Sequence, residues 1–177
     1  MARSRPRLSL IEAALLLCLI AVVLAVFVPT FLRRVRTNKI NEAAELLGEM
    51  SRRTNAYYDT AWPTLGRHCL PPEAGPTPSA PAEDAEAVDF FSPDAAGHAT
   101  WEALGFQPNR TIRFSYRYAP SEHGCGLPGS AKDVSVVFRA EGDLDGDGVR
   151  STFERSAAVG RDGFMPAKAL LVHRRTE

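Results

Sequence analysis

Residues 8–32 read LSLIEAALLLCLIAVVLAVFVPTFL, 25 residues with one charge, Glu12, and one helix breaker, Pro29. At about 1.5 Å per residue a helix of this length reaches about 37 Å, more than the ~30 Å hydrocarbon core of a bilayer. The stretch therefore predicts a membrane-spanning helix. A secretory signal peptide would show an apolar region of only about 7–15 residues before a small-x-small cleavage site, shorter than this run.

Outward from the run, residues 1–7 form a short basic leader carrying Arg3, Arg5 and Arg7, while Arg33, Arg34, Arg36 and Lys39 follow it. With positive charge on both flanks, the positive-inside rule assigns no orientation. Residues 33–59 then turn amphipathic: Ile40, Ala43, Ala44, Leu47, Met50, Thr54 and Tyr57 recur at spacings of three and four, with Glu42, Glu45, Glu49, Arg52 and Arg53 on the other face. No turn signal other than Pro29 interrupts the two segments, so the reading is one long helix over residues 8–58. Pro29 lacks a backbone donor and is expected to kink it.

The remainder, residues 60–177, reads as a globular head. Trp62, Pro63 and Gly66 end the helix, and Pro71, Pro72, Pro76, Pro78 and Pro81 mark a surface loop. A helical turn is expected over residues 100–104, with Trp101, Leu104 and Phe106 as core anchors. Strand alternation appears in Ile112, Phe114, Tyr116 and Tyr118, again in Val134, Val136 and Phe138, and more weakly over residues 152–159 and 169–173. The fold class is α+β, a long helix laid on a small antiparallel sheet. Twenty-one basic residues balance 21 acidic ones, so no global field would draw nucleic acid.

Cys18 lies in the apolar run, whereas Cys69 and Cys125 both fall in the head. Two head cysteines without metal-ligand spacing suggest one disulfide, which places the head in an oxidising compartment such as the bacterial periplasm; two buried free thiols in a cytoplasmic domain are the alternative.

One local motif carries chemistry. Asp143, Asp145, Asp147 and Gly148, followed after five residues by Glu154, match the calcium-loop pattern D-x-D-x-D-G-x5-E. Alternate carboxylates would turn toward a hard cation, Gly148 would permit the turn, the Val149 carbonyl would ligate, Ser151 would hold a water and Glu154 would close the shell. The flanks read as strands and Arg150 replaces the usual apolar residue, so this is a calcium loop outside a helix pair, or else a solvated Asp-Gly turn. The four histidines are scattered, and no nucleophile elbow or phosphate-cradling glycine loop occurs. The chain does not read as an enzyme.

The basic leader, the LSLIE at residues 8–12, the apolar helix and Pro29 seventeen residues beyond Glu12 together resemble the N-terminal signature of bacterial type IV pilins and type II secretion pseudopilins. The resemblance covers about the first 55 residues; beyond them the likeness is one of architecture. It implies a subunit held in the inner membrane by its apolar helix, head in the periplasm, and then drawn into a filament whose core is the bundled helices. It implies cleavage by a prepilin peptidase between Arg7 and Leu8, methylation of the new amine, and pairing of Glu12 with the Leu8 amine of a neighbouring subunit. Partners would be like subunits and an inner-membrane assembly platform. At the cleavage point this chain departs from the family: Arg7 replaces glycine, and Leu8 replaces phenylalanine. Read without the resemblance, Glu12 would reach lipid headgroups, and the chain would be a non-assembling, membrane-anchored calcium-binding module.

Overall fold

A computed structural model describes residues 9–60, 64, 68–127, 134–143, 148–160, 163–167 and 169–173; within the long helix it describes no side chains for residues 32–39. The chain divides into two compact units, Met1–Asn38 and Lys39–Glu177. Helix α1 is Leu10–Asp59, and it continues through Pro29. The missing Pro29 donor leaves the fourth carbonyl before it without its helical bond. One residue on, the Thr30 hydroxyl donates to the Val26 carbonyl at 2.6 Å. In the first unit, Leu10–Phe31 is apolar enough to cross a membrane, and its residues are exposed on every side.

The second unit is built on an antiparallel meander. Its strands are β1 Ala74–Thr77, β2 Ser115–Pro120, β3 Val134–Gly142, β4 Ser151–Gly160, β5 Gly163–Pro166 and β6 Leu171–His173. The order is β1-β2-β3-β4-β5. β3 pairs along the whole of β4, while β5 and β6 share the far edge of β4 at residues 157–160 and 152–154. Period-two alternation sends Tyr116 and Tyr118, Val134, Val136, Phe138 and Ala140, and Phe153, Ala157 and Val159 to one face. Against that face lie Ala43, Leu46, Leu47, Met50 and Tyr58 of α1. Of the expected stripe, Ala43, Leu47, Met50 and Thr54 are buried, but Ala44 is only partly so, Leu46 and Ser51 are buried beside it, and at its end Tyr58 rather than Tyr57 is buried. The reason is a bond: the Tyr58 hydroxyl donates to the Leu127 carbonyl at 3.0 Å.

Helix α2, His98–Leu104, occupies the expected helical turn, and Trp101, Leu104 and Phe106 are buried as anticipated. Phe90 meets Trp101 and Phe106 edge-on at 5.3 and 5.4 Å, a favoured aromatic arrangement.

Three expectations need correction. The Pro-rich stretch is not only a loop, because it contributes β1, whose Ala74 and Thr77 are buried. Proline is compatible with such an edge position because it lacks only the donor an edge strand does not use. Trp101 secures β1 from behind, its indole N–H donating to Thr77 Oγ1 at 3.1 Å and to the Ala96 carbonyl at 3.0 Å. Gly75 sits at φ 91°, with the Tyr116 carbonyl oxygen 2.3 Å from where a Cβ would be, so a side chain there would collide with β2. Second, the strand expected from Ile112 begins at Ser115. Residues 112 and 113 bond instead to Glu86, Ala82 and Glu42. Third, Glu42 is not on the solvent face: it is buried. Its Oε1 accepts the Arg113 backbone N–H at 2.8 Å, and the Arg113 guanidinium lies 3.6 Å from Oε2. That pairing offsets the cost of burying a carboxylate. Trp62, Pro63 and Gly66 lie outside the described residues.

Candidate functional site

The N-terminal candidates form a local structure around Ser9 and Glu12. Helices leave their first backbone N–H groups without partners, and a Ser with an acid three residues on can satisfy two of them reciprocally. Here the Ser9 N–H donates to Glu12 Oε2 at 2.8 Å, and the Glu12 N–H donates to Ser9 Oγ at 3.3 Å. Glu12 therefore turns its carboxylate back toward the start of the chain. Pro29 lies in the same helix, 17 residues on. Arg7 and Leu8 lie outside the described residues.

The Cys69–Cys125 disulfide is formed, bridging 56 residues. It joins a small antiparallel bridge in which Leu70 and Gly124 exchange backbone hydrogen bonds at 2.8 Å, and the Leu127 N–H donates to the His68 carbonyl at 3.2 Å. The His68 ring lies 4.8 Å from that of Tyr58, the penultimate residue of α1, tilted by 41°. The bridge thus ties the segments on either side of the sheet's first strands to the helix end. Burial pushes the Tyr58 hydroxyl pKa up, with the nearby Asp59 charge adding to it.

The acidic motif spans the β3–β4 hairpin, as its strand-like flanks foretold. β3 ends at Gly142 and β4 begins at Ser151. Asp145 and Asp147 lie outside the described residues. Asp143 Oδ2 accepts the Gly148 N–H at 2.9 Å, and Gly148 takes φ 84°. Val149 is exposed, whereas Ser151 is buried on the core face of β4. Glu154 is on the opposite face, where its Oε1 accepts from Arg139 Nε at 2.6 Å. Ser151 and Glu154 therefore point away from one another, and Glu154 already holds Arg139 through Oε1. Among the described residues, no group of three or more His, Cys, Asp or Glu side chains is placed to hold a metal ion.

The outer face of the sheet carries a lattice of charge. Arg117 pairs with Glu73, Arg139 with Glu154 and Glu141, and Arg150 with Glu141. On the inner face, two buried tyrosine hydroxyls, of Tyr116 and Tyr118, have no partner among the described residues. Burial pushes both pKa values up; for Tyr116 the Glu42 carboxylate adds to this and Arg110 opposes it. Sequence reasoning missed Glu42 and the inner-face Arg155 because a single charged residue in an amphipathic pattern reads as solvent-facing.

No family model, no curated protein and no solved structure matches the chain.

Proposed function

We propose that this chain is a structural subunit of a pilin-like filament, of the minor pilin or pseudopilin kind, held in the inner membrane before assembly. What chiefly supports the reading is α1: one helix, Leu10–Asp59, whose first part is apolar all round and whose second part packs by a stripe on a disulfide-fastened antiparallel head. Such a helix has two possible solvents for its first part, lipid or the same segment of other subunits. A disulfide in the head is consistent with the periplasm.

On this reading the Ser9–Glu12 box satisfies Glu12 before assembly. After cleavage behind Arg7, the carboxylate would exchange the Ser9 N–H for the Leu8 amine of a neighbour. A charge taken into an apolar bundle is costly unless paired, so the contact would set register as well as hold. Mass spectrometry of the mature chain is expected to find Leu8 as a methylated N-terminus in material sheared from cells, and Glu12→Leu is expected to abolish recovery in that fraction. An intact leader with the protein confined to the inner membrane would overturn the proposal and favour the membrane-anchored calcium-binding module.

Calcium is proposed as an accessory ligand of the β3–β4 hairpin, held by Asp143, Asp145 and Asp147, with Glu154 recruited from Arg139. A melting temperature that rises with calcium and returns with chelator supports this; one that responds to neither removes it.

A further inference from the structure

Arg155 is out of place by pattern. It falls on the inner face of β4, in line with the buried Phe153, Ala157 and Val159, and its buried Nε has no hydrogen-bond partner among the described residues. One terminal nitrogen of its guanidinium lies 4.0 Å from the point where a Gly48 Cβ would stand, and the Arg52 guanidinium lies 3.7 Å from the same point. Both cations therefore lie beside Gly48, each within contact distance of the point where a side chain there would begin. Arg53, Arg110, Arg113, Arg117, Arg139 and Arg150 each have a carboxylate partner. Arg52 and Arg155 have none among the described residues. Like charges held together at a partly desolvated spot repel, and an anion between them would reverse the sign of the interaction.

The same unit carries the complementary surplus. Residues 83–94 contain Glu83, Asp84, Glu86, Asp89 and Asp94 with no Lys or Arg, and all five carboxylates are on exposed residues outside the ion pairs above. This segment hangs on the β2 side of the sheet, where the Ala82 N–H donates to the Arg113 carbonyl at 3.0 Å and Glu86 exchanges bonds with Ile112. Arg155 lies on β4, on the other side of β3. Donor and acceptor therefore occupy different flanks, which is the layout of a head-to-tail contact between identical subunits.

We propose that Arg52 and Arg155 form a carboxylate seat for the acidic segment 83–94 of a second copy of this chain. The contact deepens the filament reading yet stands on the head alone. Its geometry is heterologous, so each bound copy leaves one seat and one acidic segment open and the contact can repeat.

The test uses the full-length chain in detergent micelles, with a benzophenone amino acid in place of the exposed Ala56, one turn beyond Arg52 on α1. Illumination is expected to give a dimer whose second peptide maps to residues 83–94. The yield should fall about tenfold in the Arg52→Glu/Arg155→Gln variant, about threefold in the milder Arg52→Ala, and similarly when salt rises from about 0.05 to 0.5 M. Mixing the Arg52→Glu/Arg155→Gln chain with one carrying Glu83→Arg, Asp84→Arg and Glu86→Arg should restore it. A dimer indifferent to these charges, cross-links mapping elsewhere, or anionic lipid captured at Ala56 in place of protein would each overturn the proposal. Filaments missing from cells while the cross-link persists would fault the filament reading instead.

Discussion

The two ends of α1 are one helix with two different patterns of apolar residues. Over Leu10–Phe31 apolar side chains cover the whole circumference and none is buried by the protein. Over residues 40–59 the apolar residues are confined to a stripe, and Ala43, Leu47, Met50 and Tyr58 are nearly inaccessible. A helix apolar all round requires an apolar medium, whereas a striped one requires only a partner on one side. The second half of the helix thus has its apolar partner within the chain, in the sheet it rests on, and the first half has none among the described residues.

That contrast can be broken at its strongest point by truncating the core. Trp101→Ala should cost about 3–5 kcal/mol, read as a lower urea midpoint for the full-length chain in micelles. Leu19→Ala, in the apolar run, should leave that midpoint within about 0.5 kcal/mol. Equal losses would mean that the run is part of the folded core. Removing the disulfide by Cys69→Ser/Cys125→Ser should cost about 4 kcal/mol on the chain-entropy account, again visible only in the head's unfolding. The reciprocal probe is Leu19→Arg, which should weaken membrane retention by about 2.5–3.5 kcal/mol without changing the urea midpoint; alkaline carbonate extraction measures it.

The finest distinction concerns the buried tyrosines. Tyr116 and Tyr118 keep their protons more tightly in the folded state than in the unfolded one, where they titrate near the ordinary value of 10. The unfolded state therefore binds fewer protons above that pH. The stability these groups contribute is complete below about pH 10 and declines as pH rises further. Urea melts at stepped alkaline pH should show this decline, and Tyr116→Phe/Tyr118→Phe should flatten it. Because neither hydroxyl has a partner among the described residues, Tyr116→Phe alone should stabilise the head by about 1 kcal/mol at neutral pH.

The helix and the long strands were legible because their patterns are long. The sheet's inner row from Val134 to Ala140 and the helical stripe from Ala43 to Thr54 repeat their period often enough to be read. β1 and β5 are four residues each and contain proline, so their only local signal argued for loop. β1 is a strand because Tyr116 and Tyr118, about 40 residues on, supply its partners, whereas β5 pairs with the end of the adjacent β4, from Gly160 with Gly163 to Ala157 with Pro166. The cysteine pairing was readable from number alone. The acidic loop was readable as a motif, but not the orientation of Ser151 and Glu154, which the pleat of β4 decides. Glu42 and Arg155 were illegible for the reverse reason, since a charge on an inward position shows its meaning only through what it faces.

The bond from Glu42 to the Arg113 backbone has a geometrical consequence for the head. The buried stripe of α1 is largely Ala, Leu and Met, residues that pack in many near-equivalent ways. A slip by one residue would swing Glu42 through about 100° and part it from Arg113, stranding a peptide N–H and a charge together. The carboxylate therefore works as an index mark on a dial, choosing one angular setting of the helix among several that grease alone would accept.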